Sequence, residues 1–182
     1  MKNTLKCWQT VGFVFTSVLG TFLHFLFDLT GGSAAAALVS AVNESIFEHM
    51  KLLFYPMAVF AAVEYRFLGK EYPGFLRAKT AGILLGLALI PVVYYTYTGI
   101  LGMSADWFNI AIFFIAAAAA YSFETWLLRR GSLQKKGSAP AVAALCLAAV
   151  LFTVFTFLPP RIPFFRDPVT GTYGFFQTGG SL

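Results

Sequence analysis

"FLHFLFDLTGGSAAAALVSAVNESIFEHMK" (residues 22–51) decides the fold, because polar residues interrupt the apolar runs of the chain here. The stretch contains both histidines of the protein, three of its eight acidic residues and one lysine. The chain of 182 residues is 58% hydrophobic and only 12% charged, whereas a soluble domain carries about 25% charged residues. Its mean hydropathy is +0.73, and its apolar residues form long runs. We therefore predict an all-α integral membrane protein with a single domain over residues 1–182.

The apolar runs predict a bundle of five transmembrane helices, since crossing the hydrocarbon core takes about 20 helical residues. The predicted spans are residues 7–29, 46–68, 78–101, 106–128 and 140–158. The remaining residues, 159–182, form a tail that begins with two prolines. Proline cannot continue a helix, so the last span should end where the tail begins.

The segment 33–68 is too long for one simple span, and the sequence offers a place to break it. Asn43 is a good helix cap, and Ser45 and Glu48 have the spacing of a capping box, in which each side chain satisfies the other's free backbone donor. We expect a short half-helix over 33–42 and a full span from residue 46. One continuous tilted helix is the alternative.

Lysine and arginine lie in alternate loops, which predicts the orientation of the bundle. They precede the first span and follow the second and the fourth: Lys2, Lys6, Arg66, Lys70, Arg77, Lys79, Arg129, Arg130, Lys135 and Lys136. Residues 30–45 and 102–106 contain none. The N-terminus is therefore predicted inside, with the half-helix and the C-terminal tail outside. Bases that flank apolar runs do not form a nucleic-acid surface, so the expected partners are membrane lipids.

On this topology the polar residues of the opening stretch meet at the outer ends of the first two spans. His24 and Asp28 are four residues apart and share a helix face. Glu44 lies in the break, and Glu48 and His49 follow in the first turn of the second span. Ionisable groups at membrane depth are costly and are candidates for function.

Two imidazoles with carboxylates are a plausible ligand set for Zn²⁺ or another divalent ion. The ligands would be His24, His49, Asp28 and Glu44, and a remaining carboxylate among Glu48, Glu44 and Asp28 would act as general base. Glu48 and His49 are adjacent and point about 100° apart on a helix, so both join one site only if the break redirects one of them. The resulting hypothesis is a metal-dependent hydrolase that acts on a lipid or another amphiphile at the outer leaflet.

Two other functions fit the same residues. A broken helix beside a polar site is typical of transporters and solute-binding subunits, which would use the cluster for an ion, a proton or an anion. In a structural or partner-binding protein, His24–Asp28 and Glu48–Lys51 would be plain pairs that join two spans. Further candidates for substrate contacts are Asn43, Lys51, Tyr95, Tyr97 and Arg166.

Features outside the stretch have simpler interpretations. The tail motif "RDPVTGTYG" (166–174) suits an ordered turn that could fold over the cluster. Glu64 beside Arg66 and Glu124 near Arg129 are interpreted as interfacial charges.

The chain resembles an uncharacterised family of small polytopic bacterial membrane proteins, a domain of unknown function. The resemblance rests on three motifs: "HFLFDLTG" (24–31), "NESIFEHMKLLFYPM" (43–57) and "RIPFFRDPVTGTYG" (161–174). It implies a multi-pass protein of the bacterial inner membrane and brings no activity or cofactor. The residue types are also similar to those of membrane-embedded zinc hydrolases, whose paired HxxxH is absent here. In size and span count the chain is similar to the solute-binding subunits of vitamin importers.

Overall fold

The computed structural model of the protein describes residues 2–131, 133 and 137–178. Its elements are α1 (Lys2–Leu29), α2 (Ala34–Ala37), α3 (Ile46–Leu68), α4 (Phe75–Leu101), α5 (Asp106–Arg130), α6 (Ala139–Phe157), a 3₁₀ turn (Pro163–Phe165) and α7 (Gly174–Gln177). Within the described ranges the only strand-like pairing is an isolated bridge between Arg166 and Tyr173. The predicted all-α class is confirmed.

Five of these helices, α1, α3, α4, α5 and α6, are long and apolar enough to cross a membrane. Their bounds agree with the predicted spans to within five residues at each end. Large apolar side chains face outward along α1, where Val14, Val18 and Phe22 are each more than half exposed. An outward face of this kind is stable in lipid and unstable in water. The architecture is that of a multi-pass membrane protein.

The helix break near Asn43 is present, and α3 begins where the capping pattern predicts. Ser45 is the N-cap, and its hydroxyl accepts a hydrogen bond from the Glu48 backbone N–H at 3.4 Å. The reciprocal half of the capping box does not form. The backbone N–H of Ser45 donates instead to Oδ1 of Asn43 at 3.0 Å.

The half-helix is shorter than the predicted 33–42, since α2 ends at Ala37. Continuing it would require the Ala37 carbonyl and the Val42 N–H for helical hydrogen bonds. Side chains of α3 bind both groups. Lys51 donates to the Ala37 carbonyl at 2.8 Å, and Glu48 accepts from the Val42 N–H at 3.1 Å. The chain therefore leaves the helix after one turn.

The helices pack closely through small residues. Gly20 on α1 lies against the Leu52 carbonyl of α3 and the Phe113 ring of α5, so a β-carbon there would be 2.6–2.7 Å from each. Ala116, Ala117 and Ala120 on α5 are fully buried. Small residues such as these let membrane helices approach each other closely.

Two ends of the bundle can be distinguished by the residues that meet there. At the first, which we call the tail end, the last turns of α1 and α6 and the start of α3 meet the C-terminal tail, for example through Phe27, Phe157 and Phe175. At the opposite end, the loop end, Leu5 packs with Leu68 and other residues of α3, α4 and α5. The inside–outside orientation stays a prediction, and Lys135 and Lys136 lie outside the described residues. Lys79 is 2% exposed within α4, so it is not a loop charge.

Replacing Gly20 with alanine should destabilise the bundle. The added methyl group would overlap the Leu52 carbonyl and the Phe113 ring, and overpacking of this kind costs about 1–3 kcal/mol. Gly99→Ala is the matched control, since a β-carbon on Gly99 meets nothing within 4 Å. Thermal unfolding in detergent should show a lower midpoint for Gly20→Ala only. Equal midpoints for the two variants would contradict the close approach of α1 and α3.

Candidate functional site

Three side chains meet at the tail end of the bundle. Nε2 of His24 lies 3.9 Å from Oε1 of Glu44, and Nε2 of His49 lies 3.3 Å from Oε2 of the same carboxylate. The rings of the two histidines are perpendicular, with their centroids 5.2 Å apart. One donor atom from each residue falls within 4.8 Å of the other two. We call these three residues the His–Glu cluster.

Three different elements position the cluster. His24 is in the second-last turn of α1, Glu44 lies in the break before α3, and His49 is in the first turn of α3. The break is therefore necessary for the cluster, because it lets Glu44 face the histidines of two antiparallel helices. Glu48 points elsewhere, as expected for adjacent helix positions.

The orientation of the His49 ring is fixed by its backbone neighbour. Nδ1 lies 3.0 Å from the Ser45 carbonyl oxygen. A carbonyl can only accept a hydrogen bond, so Nδ1 carries a proton and donates. Nε2 lies 3.3 Å from Oε2 of Glu44. It donates to that carboxylate when it is protonated, and it is the nitrogen that a metal ion would bind when it is not. Ligand histidines in metal sites are commonly oriented in this way.

The surroundings of Glu44 favour its ionised form. The hydrogen bond with His49 lowers the pKa of Glu44, and the positive charge of the two histidine rings acts in the same direction against the opposing effect of burial. The carboxylate of Glu44 therefore stays ionised at a lower pH than that of an ordinary glutamate.

The C-terminal tail folds back onto the break through Asp167. Oδ2 of Asp167 accepts from the Glu44 backbone N–H at 3.4 Å. Oδ1 accepts from the N–H groups of Val169 and Thr170 at 2.7 and 3.1 Å, which closes the tail turn. Burial acts to raise the pKa of Asp167, but these backbone donors outweigh it and lower the value. The tail turn around Asp167 therefore packs against the break, and Asp167 is 3% exposed.

Glu48 and Lys51 form a separate, fully buried ion pair beneath the cluster. Nζ of Lys51 lies 2.5 Å from Oε2 of Glu48, and the side chains are 0–2% exposed. Thr156 of α6 accepts from Lys51 and donates to Oε1 of Glu48, both at 2.9 Å. With the backbone contacts of residues 37 and 42, both charges are well satisfied. The predicted Glu48–Lys51 pair is confirmed, and Glu48 is engaged away from the His–Glu cluster.

Other predicted site residues lie around or apart from the cluster. Asp28 is exposed, one turn beyond His24, and is not among the three residues brought together. Asn43 is 7% exposed, and its Nδ2 has no partner among the described residues. Tyr97 bonds to Asn109 and Ser104 at the α4–α5 connection.

The other two candidates for substrate contacts, Tyr95 and Arg166, are exposed. Tyr95 packs edge-on against Tyr94 and is 43% exposed. Arg166 lies in the tail turn, paired through its backbone with Tyr173. No described contact joins either side chain to the His–Glu cluster.

A second polar cluster, which sequence reasoning missed, lies toward the loop end. Glu64 is fully buried and binds Lys79 and Gln9. Glu124 is also fully buried and binds Lys79 at 2.7 Å. The interpretation of the two glutamates as interfacial charges beside Arg66 and Arg129 is therefore wrong. A lysine inside an apolar run was the available signal, since it requires a buried partner.

Asp167→Asn should loosen the tail over the site. The folded-state pKa of Asp167 is lowered, so its stabilisation is present at neutral pH and is lost as pH falls through that value. At neutral pH the neutral amide should cost on the order of 1 kcal/mol, since charged acceptors make stronger hydrogen bonds. The amides of residues 44, 169 and 170 should therefore be less protected against hydrogen exchange in this variant. The wild type should lose the same protection in acid, once the intrinsic exchange rate at each pH is divided out. Asp106→Asn, at the exposed start of α5, is the control. Unchanged exchange at these amides would show that Asp167 does not hold the tail.

Comparison with known proteins places the chain by family alone. No curated protein and no solved structure matches it. The model of a family of unknown function, DUF6512, matches residues 1–175. That match covers nearly the whole chain, including the His–Glu cluster and Asp167, and the protein therefore belongs to the family DUF6512.

Proposed function

We propose that the protein binds a divalent metal ion, with Zn²⁺ the best fit, through His24, Glu44 and His49, and that it hydrolyses a lipid or another amphiphile at this site. The observation that carries the proposal is the convergence of three donor atoms within 4.8 Å from three separate elements.

The spacing of the donor atoms suits a tetrahedral ion. Zinc–nitrogen and zinc–oxygen bonds of about 2.1 Å place neighbouring ligands of a tetrahedron roughly 3.4 Å apart. The two histidine–glutamate distances are near that value, with His49 3.3 Å from Oε2 and His24 3.9 Å from Oε1 of the carboxylate. His₂Glu is also a ligand set of catalytic zinc sites, which keep the fourth position open. A bound ion would supply Lewis-acid activation of a carbonyl or phosphoryl oxygen.

The location of the cluster favours an amphiphilic substrate. The side chains of His24, Glu44 and His49 are 35%, 47% and 30% exposed, so a substrate can reach them. They lie at one end of a bundle whose sides are apolar. A lipid whose chains lie along the bundle presents its polar head at this level. The predicted orientation would put the site at the outer leaflet, and the family resemblance would put it in a bacterial inner membrane.

The other polar groups suggest distinct roles. Asp28 lies one helical turn beyond His24 on the same face and is exposed, so it is our candidate for the general base. Nδ2 of Asn43 is a buried donor with no partner among the described residues, and it would bind a substrate oxygen that enters beside Glu44. Glu48 is left out of both roles because Lys51 and Thr156 already occupy its oxygens.

Metal analysis of the detergent-purified protein tests the ligand set. We expect about one zinc ion per chain, lost in His24→Ala, Glu44→Ala and His49→Ala and retained in Asp28→Asn. Metal should also be released at mildly acidic pH, because protons compete with the ion for the histidine nitrogens. Glu44 should stay ionised there because its pKa is lowered. Metal content that is independent of both histidines would overturn the proposed site.

Hydrolysis is tested with the zinc-loaded protein and fluorogenic phospholipids in mixed micelles. Turnover should disappear in His49→Ala and fall by about 10²–10⁴-fold in Asp28→Asn, the usual contribution of a general base. Glu71→Gln, at an exposed position between α3 and α4, is the control and should retain full activity. Bound zinc without turnover of any lipid would favour the competing role as a transporter or solute-binding subunit. Activity that survives His49→Ala would exclude the site as its source.

A further inference from the structure

Four helices each contribute one side chain to the buried cluster near the loop end. Gln9 comes from α1, Glu64 from α3, Lys79 from α4 and Glu124 from α5. The glutamates are fully buried, Lys79 is 2% exposed and Gln9 is 5% exposed. Neither the His–Glu cluster nor the Glu48–Lys51 pair includes any of these residues. We call them the four-helix cluster.

Lys79 is the centre of the four-helix cluster. Its Nζ contacts Oε2 of Glu64 and lies 2.7 Å from Oε2 of Glu124. Gln9 completes the arrangement from α1. Its Nε2 donates to Oε1 of Glu64 at 3.0 Å, and its Oε1 lies 3.4 Å from Nζ of Lys79. One ammonium group therefore forms ion pairs with two carboxylates.

The charges of these groups do not balance. Two ionised carboxylates and one ammonium group leave one excess negative charge. All three groups are buried inside helices that cross the membrane. An uncompensated buried charge is far more costly than a neutral carboxylic acid, so such a group takes up a proton instead. The Glu48–Lys51 pair differs, since there one carboxylate meets one ammonium group.

A second observation identifies where the extra proton fits. Oε1 of Glu124 is buried and has no hydrogen-bond partner among the described residues. It lies against Gly82 of α4, where a β-carbon would approach Oε1 to 2.6 Å and Cγ to 2.2 Å. The glycine thus makes room for the carboxyl group, and no described donor reaches its outer oxygen. An ionised oxygen would need such a donor, whereas the oxygen of a neutral acid is much less costly to leave unpaired.

Among the described residues, the groups around Glu124 supply no further positive charge. Tyr121, on the same helix as Glu124, hydrogen-bonds to Thr16 of α1 at 2.9 Å. Its ring lies 4.9 Å from Nζ of Lys79 and presents its face to the ammonium group. The groups facing Glu124 are therefore Glu64 from α3, Lys79 from α4 and Tyr121 from α5, with Gln9 bound to the first two. Only Lys79 among them is cationic.

We propose that the four-helix cluster is a proton-binding site, in which the two glutamates hold one proton between them at neutral pH and Glu124 carries it. The site is independent of the proposed metal site. A membrane-embedded carboxyl group that binds a proton is typical of proteins that couple a function to proton uptake. Because four spanning helices contribute to it, gain or loss of the proton would change the packing of all four.

Infrared spectroscopy of the protein in a maltoside detergent, which contains no carbonyl group, tests the proposal. A protonated carboxylic acid has a carbonyl stretch that ionised carboxylates lack, and this band shifts in deuterated water. We expect one such band from the wild type at neutral pH. It should be lost in Glu124→Gln and equally in Glu64→Gln, because the single remaining glutamate then forms a balanced pair with Lys79.

Glu71→Gln is the matched control, since it removes an exposed carboxylate near the same end of the bundle and should leave the band unchanged. A band that survives in either folded cluster variant would overturn the proposal. If both variants fail to fold, the infrared spectrum of the wild type still tests the proposal. Absence of the shifting band at neutral pH would show that both glutamates are ionised.

Discussion

The buried ion pair between Glu48 and Lys51 is the interaction on which the tail end of the bundle depends. Each partner also binds one backbone group of the preceding segment, the Val42 N–H and the Ala37 carbonyl. A continuing half-helix would need both groups for its own hydrogen bonds. The pair therefore ends α2 early and holds the break in place. Without the break, Glu44 would lie within a helix and could not face the histidines of both α1 and α3.

The tail stabilises the same break from the opposite direction. Asp167 binds the Glu44 backbone, and Thr156 of α6 hydrogen-bonds to both members of the ion pair. Side chains of α3, α6 and the tail thus hold the break in place. These contacts explain how an irregular segment can keep one conformation at the end of a lipid-embedded bundle. Irregular backbone at this level is stable only when protein groups or water satisfy its polar atoms. A rigid break is also what a ligand site needs, since it fixes Glu44 relative to the two histidines.

Much of the fold could be predicted from local sequence. The five spans follow from long apolar runs, and the start of α3 follows from Ser45 and its spacing to Glu48. The convergence of His24, Glu44 and His49 follows in outline once both helix ends are placed on the same side. The sequence predicted that the tail turn could fold over the cluster. It could not predict that Asp167 binds the Glu44 backbone, because 123 residues separate the two. The pairing of Lys79 with Glu64 and Glu124 likewise depends on tertiary packing, which leaves no periodic pattern in the sequence.

The three polar clusters differ in their charge balance, and we propose a ligand for only two of them. Glu48 and Lys51 are balanced and fully bonded, so their burial is explained by the fold alone. The four-helix cluster carries one carboxylate more than its lysine can neutralise, and the His–Glu cluster presents a carboxylate and two imidazoles to solvent. Burying polar groups is costly, so an arrangement with unused donors or excess charge needs a compensating ligand. A proton suffices for the enclosed cluster, whereas the exposed one, with its nitrogen donors, is suited to a metal ion.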